Sequence, residues 1–177
     1  MALRRRKLKE LILYVAFRSS HDPRFGAVKL NKILFFADFE AHRRLGQSIT
    51  GATYQHLDEG PAPRALVPLR AELLADEAIR VSRQEYFGGE QQRIEPLRAP
   101  KLDLFSIAEL EIVEEVIAGL WQLNAKQVSE LSHYEPAWQL TRSGEDIPYA
   151  AAWLSPEPIT PELAAIGQKI ADEHGIR

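Results

Sequence analysis

Between Gly26 and Gly46 runs the longest apolar segment of the chain, and its periodicity leaves little choice of conformation. At about 100° per residue, Leu30, Ile33, Leu34, Ala37, Ala41 and Leu45 share one helix face, with Val28, Phe35 and Phe39 as a second seam beside it. The stripe left for water holds Lys29, Lys32, Glu40 and Arg43 around Phe36, so the spacing predicts a helix buried over most of its circumference. Gly46 suits the left-handed residue that ends such a helix. Asn31 and Asp38 fall between the seams, where an unpaired buried polar group costs about 1–3 kcal/mol, so each needs a partner. Asp38 has two readings: a carboxylate bonded to neighbouring helices, or an active-site group with a burial-shifted pKa.

The length, 177 residues, fits one domain spanning residues 1–177. A formal net charge of -3 opposes any strong overall pull towards nucleic acid, so partners must be read locally. With no cysteine there is no disulfide framework, no thiolate nucleophile and no cysteine-based zinc site. The N-terminus has a charged start before an apolar run, as a signal peptide does. Its Leu8, Leu11, Ile12 and Val15 instead mark one face of an amphipathic helix, and no run approaches a membrane span. The expected location is the cytoplasm.

That first helix is expected from about Arg4 to Phe17, before the turn-rich residues 19–23. Arg4, Arg5, Arg6, Lys7 and Lys9 crowd the positive end of its dipole, which is unfavourable where they are exposed. Three readings compete: a solvated end, a docking patch for an acidic protein, or a phosphate-contacting arm.

After the central helix, Ala52 to Leu57 reads as a short strand and residues 58–63 as a turn. Ala62, Leu66, Leu69 and Leu73 keep a helical spacing that Pro68 must either kink or begin. Ile79 to Tyr86 and Gln91 to Pro96 read as a hairpin turning at Gly88 and Gly89. Ser106 and Glu109 form a capping-box pattern before a helix with Leu110, Val113, Ile117 and Leu120 inward. Asn124 caps another, carrying Val128 and Leu131, that stops before Pro136. Thr160 and Pro161 open a last helix over about 161–173, with Leu163, Ile166 and Ile170 as its docking face.

Chemistry is hard to find. The five histidines show no metal-ligand spacing, and phosphate-loop, dinucleotide and nucleophile-elbow patterns are absent, so no cofactor is expected. Acid–base work would require Asp38, His56, Glu59 and His133 to converge in the fold. The alternatives kept open are therefore a small hydrolase or transferase on Asp38, His56 and His133, and a winged-helix DNA-binding regulator using the basic arm and the hairpin.

Three separated stretches, in order, resemble the Panacea domain, a group that includes phage-associated GepA-like proteins and SocA-like antitoxins. They are Lys29-Leu30-Asn31-Lys32 on to Asp38, the Gly60-Pro61 turn, and Val128 to His133 followed by Glu135 and Trp138. The resemblance covers about Leu8 to Trp153. It implies an α+β, mainly α fold with a small β element around the buried helix. It also implies an antitoxin that neutralises a cognate protein toxin, in at least one similar protein by delivering it to a protease. The motif residues read as framework: Trp138 anchors the segment leaving its helix, and His133 bonds the Asp38 region across the core. Glu59 departs from the pattern, which often has an aromatic residue before the Gly-Pro turn. Two patches are candidates for the partner: the basic start at Arg4, Arg5 and Arg6, and the loop around Tyr54, His56 and Arg64.

Overall fold

The computed structural model describes residues 2–86 and 89–154, with residues 165 and 169 as isolated helical positions. The helix expected over 161–173 lies otherwise outside the described residues, as does Gly88. In chain order the elements are α1 (Arg5–Arg18), α2 (Ala27–Leu45), β1 (Tyr54–Gln55), β2 (Ala62–Pro63), α3 (Leu66–Ala75), β3 (Ile79–Tyr86), β4 (Gly89–Pro96), α4 (Ile107–Leu120), α5 (Ala125–His133), α6 (Pro136–Gln139) and β5 (Asp146–Ile147). A 3-10 turn spans Leu102–Leu104 and a 3-10 helix Tyr149–Trp153. The fold is α+β and mainly α.

Helix α2 is the centre. Helices α1, α4 and α5, strands β2 and β4 and the 3-10 helix all pack on it. Both apolar seams are buried except at their ends, where Val28 is half-buried and Leu45 is exposed. Gly46 ends the helix at φ 71°, its N–H bonding the His42 carbonyl.

The water-facing stripe is where the periodicity misleads. Lys29 and Lys32 are each 1 % exposed, and only the C-terminal part, with Glu40 and Arg43, reaches solvent. The loop before α2, the end of α4 and the Gly60-Pro61 turn cover the face that carries the two lysines, so both found acceptors inside the protein instead.

Local signals elsewhere hold to within a residue or two. Ser106 and Glu109 complete a capping box on α4, and Asn124 forms another with Gln127 on α5. Pro68 is the third residue of α3, a position whose N–H has no partner within the helix, so the helix begins just before it. Ala62 belongs to β2 rather than to that helix, while Leu66, Leu69 and Leu73 are buried. The expected strand over Ala52 to Leu57 shortens to two residues, flanked by β2 and β5 in an antiparallel sheet of order β2-β1-β5. The hairpin pairs Ile79 with Pro96 through to Tyr86 with Gly89, so Gly89 is the first residue of β4. Of the two apolar residues noted on α5, Val128 is buried and Leu131 is 42 % exposed.

Candidate partner-binding surface

Asp38 is bonded on both carboxylate oxygens. The Thr50 N–H donates to Oδ1 at 2.8 Å, and the Tyr54 hydroxyl, at 2.8 Å, and the Thr50 hydroxyl donate to Oδ2. Burial pushes the Asp38 carboxyl above its ordinary pKa, with the Thr50 and Tyr54 donors opposing. The Tyr54 hydroxyl thus ties α2 to the sheet, and this residue is fully buried rather than offered to a partner. Asn31 fares worse, since its Oδ1 is buried with no hydrogen-bond partner among the described residues.

Lys32, Ser129 and Ser132 gather beneath the Glu59-Gly60-Pro61 turn. Lys32 Nζ donates to the Pro61 carbonyl at 3.2 Å, and the Ser129 hydroxyl donates to the Glu59 carbonyl. Burial lowers the Lys32 pKa to about 8, with Glu59 opposing. Gly60 sits at φ 90°, and a Cβ there would lie 2.3 Å from Ser132 Oγ and 2.9 Å from Lys32 Nζ, so the turn can close over the lysine only as glycine.

The expected convergence of Asp38, His56, Glu59 and His133 does not form. His133 makes no bond to Asp38. It stacks on one side of the Trp138 framework, at 4.2 Å between ring centroids, and His56 stacks on the same tryptophan at 4.1 Å. His56 Nδ1 lies 3.1 Å from both the Trp138 carbonyl and Thr141 Oγ1, while His133 Nε2 is buried without a partner among the described residues. Arg64 is exposed, yet its guanidinium already meets Asp146 and the Gly144 carbonyl, each at 2.5 Å, and Gln55 at 3.0 Å.

The basic helix start also has internal uses. Arg4 donates to the Ser48 and Ile49 carbonyls, both at 3.2 Å, and Arg5 pairs with Glu72. Lys7 meets Glu109 at 2.6 Å and Lys9 meets Asp76 at 2.7 Å. The cluster is therefore more than a solvated helix end: it staples α1 to α3, to α4 and to the loop after α2. Arg6 remains exposed.

A different surface is open. Phe36, Val116, Gly119 and Leu131 line a depression of about 320 Å³ between α2, α4 and α5. It shares Arg43 and Leu131 with an adjoining one of about 490 Å³, lined also by Tyr134, Trp153 and Leu154. Tyr134 is 71 % exposed and Trp153 58 %. Leu131 and Tyr134, one turn apart at the end of α5 and off the face of Val128 and Ser132, were the sequence signal for this groove. The other wall comes from distant segments and had none.

The family model for the antitoxin SocA-like Panacea domain matches residues 30–139. The chain belongs to this family. The matched Panacea region runs from the first turns of α2 to the end of α6, narrower than the expected Leu8 to Trp153. It contains Leu30, Lys32, Asp38, Gly60, Pro61, His133, Glu135 and Trp138, and it excludes Lys29 and the basic start of α1. No match was found among curated proteins or among solved structures.

Proposed function

We propose that this chain is an antitoxin that neutralises a cognate protein toxin by binding it directly. Membership of the SocA-like Panacea family carries the reading. The open groove beside α5 supports it, because contiguous exposed apolar surface is the usual mark of a partner site. Asp38, 0 % exposed and bonded on both oxygens, suits a framework role better than acid–base work. The DNA-binding reading has less support. Most of the basic arm is paired internally, and in the hairpin Gln91 and Arg93 are spent on the carbonyls of Pro23, Asp22 and Ser20.

Co-expression with the neighbouring reading frame tests the proposal. Growth arrest by the neighbour alone, relieved by this chain, is the expected result; arrest that persists in the presence of soluble chain would end the antitoxin reading. An immunoblot of the toxin separates two forms of it, since its level stays constant under sequestration and falls under delivery to a protease.

A further inference from the structure

The groove has walls of helix. Side chains of α2, α4 and α5 and the 3-10 helix Tyr149–Trp153 line it, so among the described residues no free strand edge is offered and a β-strand has nothing to pair with. Its apolar floor suits an amphipathic helix. At Gly119 nothing lies within 4 Å of the Cβ position, which lets a partner backbone come close.

The charge around the groove is unbalanced. Glu40, Glu115 and Glu135 line it against Arg43. Arg43 is already engaged by the Ala152 carbonyl at 2.6 Å, Glu40 at 2.5 Å and Glu135 at 3.3 Å. Arg44 pairs with Glu115 at 2.5 Å, while Glu111, one turn earlier on α4, is exposed and adds a further negative charge. Burial pushes the Glu135 carboxyl above its ordinary value; Arg43 opposes this and Glu40 adds to it. A cation brought by a partner would meet under-neutralised carboxylates there.

We infer that the groove between α2, α4 and α5 receives a basic amphipathic helix of the partner, its apolar face on Leu131, Tyr134 and Trp153 and its lysines or arginines at Glu40, Glu115 and Glu135. This rests on the antitoxin reading for the identity of the partner, but the groove's preference is measurable without it.

The full chain is titrated with a fluorescein-labelled leucine-lysine helical peptide of about 18 residues, and with its leucine-glutamate counterpart. The lysine peptide is expected to bind about tenfold or more tightly than the glutamate one. Trp153→Ala and Tyr134→Ala should each weaken it by about tenfold, as aromatic anchors do. Glu115→Lys should weaken the lysine peptide and improve the glutamate one. All three positions are exposed, and thermal melts check folding. Equal binding of the two peptides, or binding indifferent to Trp153→Ala, overturns the inference. So does tighter peptide binding after removal of residues 155–177, which would make the chain's own C-terminal segment the occupant. A dimer that Leu131→Asp dissociates, read by sedimentation, would make it a second copy. Neutralisation separates the two claims. Wild-type rescue retained by Trp153→Ala with Glu115→Lys sinks the groove and leaves the antitoxin; absence of wild-type rescue sinks the antitoxin whatever the peptides do.

Discussion

Lys29 Nζ stands 2.6 Å from Asp22 Oδ2, and both side chains are 1 % exposed. The ammonium's other two donors reach the Trp121 and Leu123 carbonyls, each at 2.9 Å, and Asp22 Oδ1 accepts the Arg24 N–H at 2.8 Å. One lysine thereby joins the loop before α2 to the end of α4.

Such a pair is costly to break from one side, because the remaining charge is left buried and alone. Asp22→Ala is expected to destabilise by about 3–5 kcal/mol in urea denaturation. The double change Asp22→Leu with Lys29→Met should cost less than Asp22→Ala, since no charge is then stranded. If the double variant is the less stable, the two groups are not energetically coupled.

Lys32 carries its burial with little compensation, and stability should report this as pH changes. Below about 8 the folded and unfolded chains both hold the proton, and the full burial cost is present. Between about 8 and the ordinary 10.5 the folded chain releases it while the unfolded chain keeps it, so stability rises with pH across that window. The rise attributable to Lys32 is about 3 kcal/mol. Lys32→Met should remove it and be the more stable protein at pH 7, by somewhat less because the Pro61 carbonyl loses its donor. The wild-type-minus-variant difference at pH 7 and pH 10 cancels the other lysines; an unchanged difference would show that Lys32 titrates normally.

Two glycines that share a positive φ should respond differently to alanine. At Gly46, φ 71°, nothing lies within 4 Å of the added Cβ, so only the left-handed conformation is penalised, by about 1 kcal/mol. At Gly60, φ 90°, the Cβ also meets Ser132 Oγ and Lys32, and a loss of about 3 kcal/mol is expected. Thermal melts compare the two. Equal losses would mean that the turn shifts freely off Lys32.

Arg4 offers a test of what the basic helix start does. Its bonds to the Ser48 and Ile49 carbonyls predict that Arg4→Gln lowers stability by about 1 kcal/mol without slowing association with the toxin. Slower association at unchanged stability would instead make this cluster a docking patch for the toxin.

Much of the fold was legible because its signals are short in range. The glycine stop of α2, the Ser106–Glu109 capping box, the Asn124 cap and the break before Pro136 depend on residues within one helical turn of each other. The identities of Leu30, Ile33 and Leu34 therefore determine the same face wherever the helix is placed.

What only the tertiary structure decided is which polar groups are taken inside and which apolar ones are left out. Lys29 was assigned to water by its position on α2, yet its acceptors at Trp121 and Leu123 lie 92 and 94 residues along the chain. Arg5 and Glu72 are 67 residues apart, and His56 and Trp138 are 82. Leu131 keeps a helical spacing from the buried Val128 and is nonetheless exposed, because such a spacing cannot say how far a neighbouring element extends. The groove exists because α4, α5 and the 3-10 helix converge on Arg43 without closing over it. Periodicity encodes which face of a helix is apolar; whether that face meets protein or solvent depends on elements distant in sequence, whose approach no local pattern records.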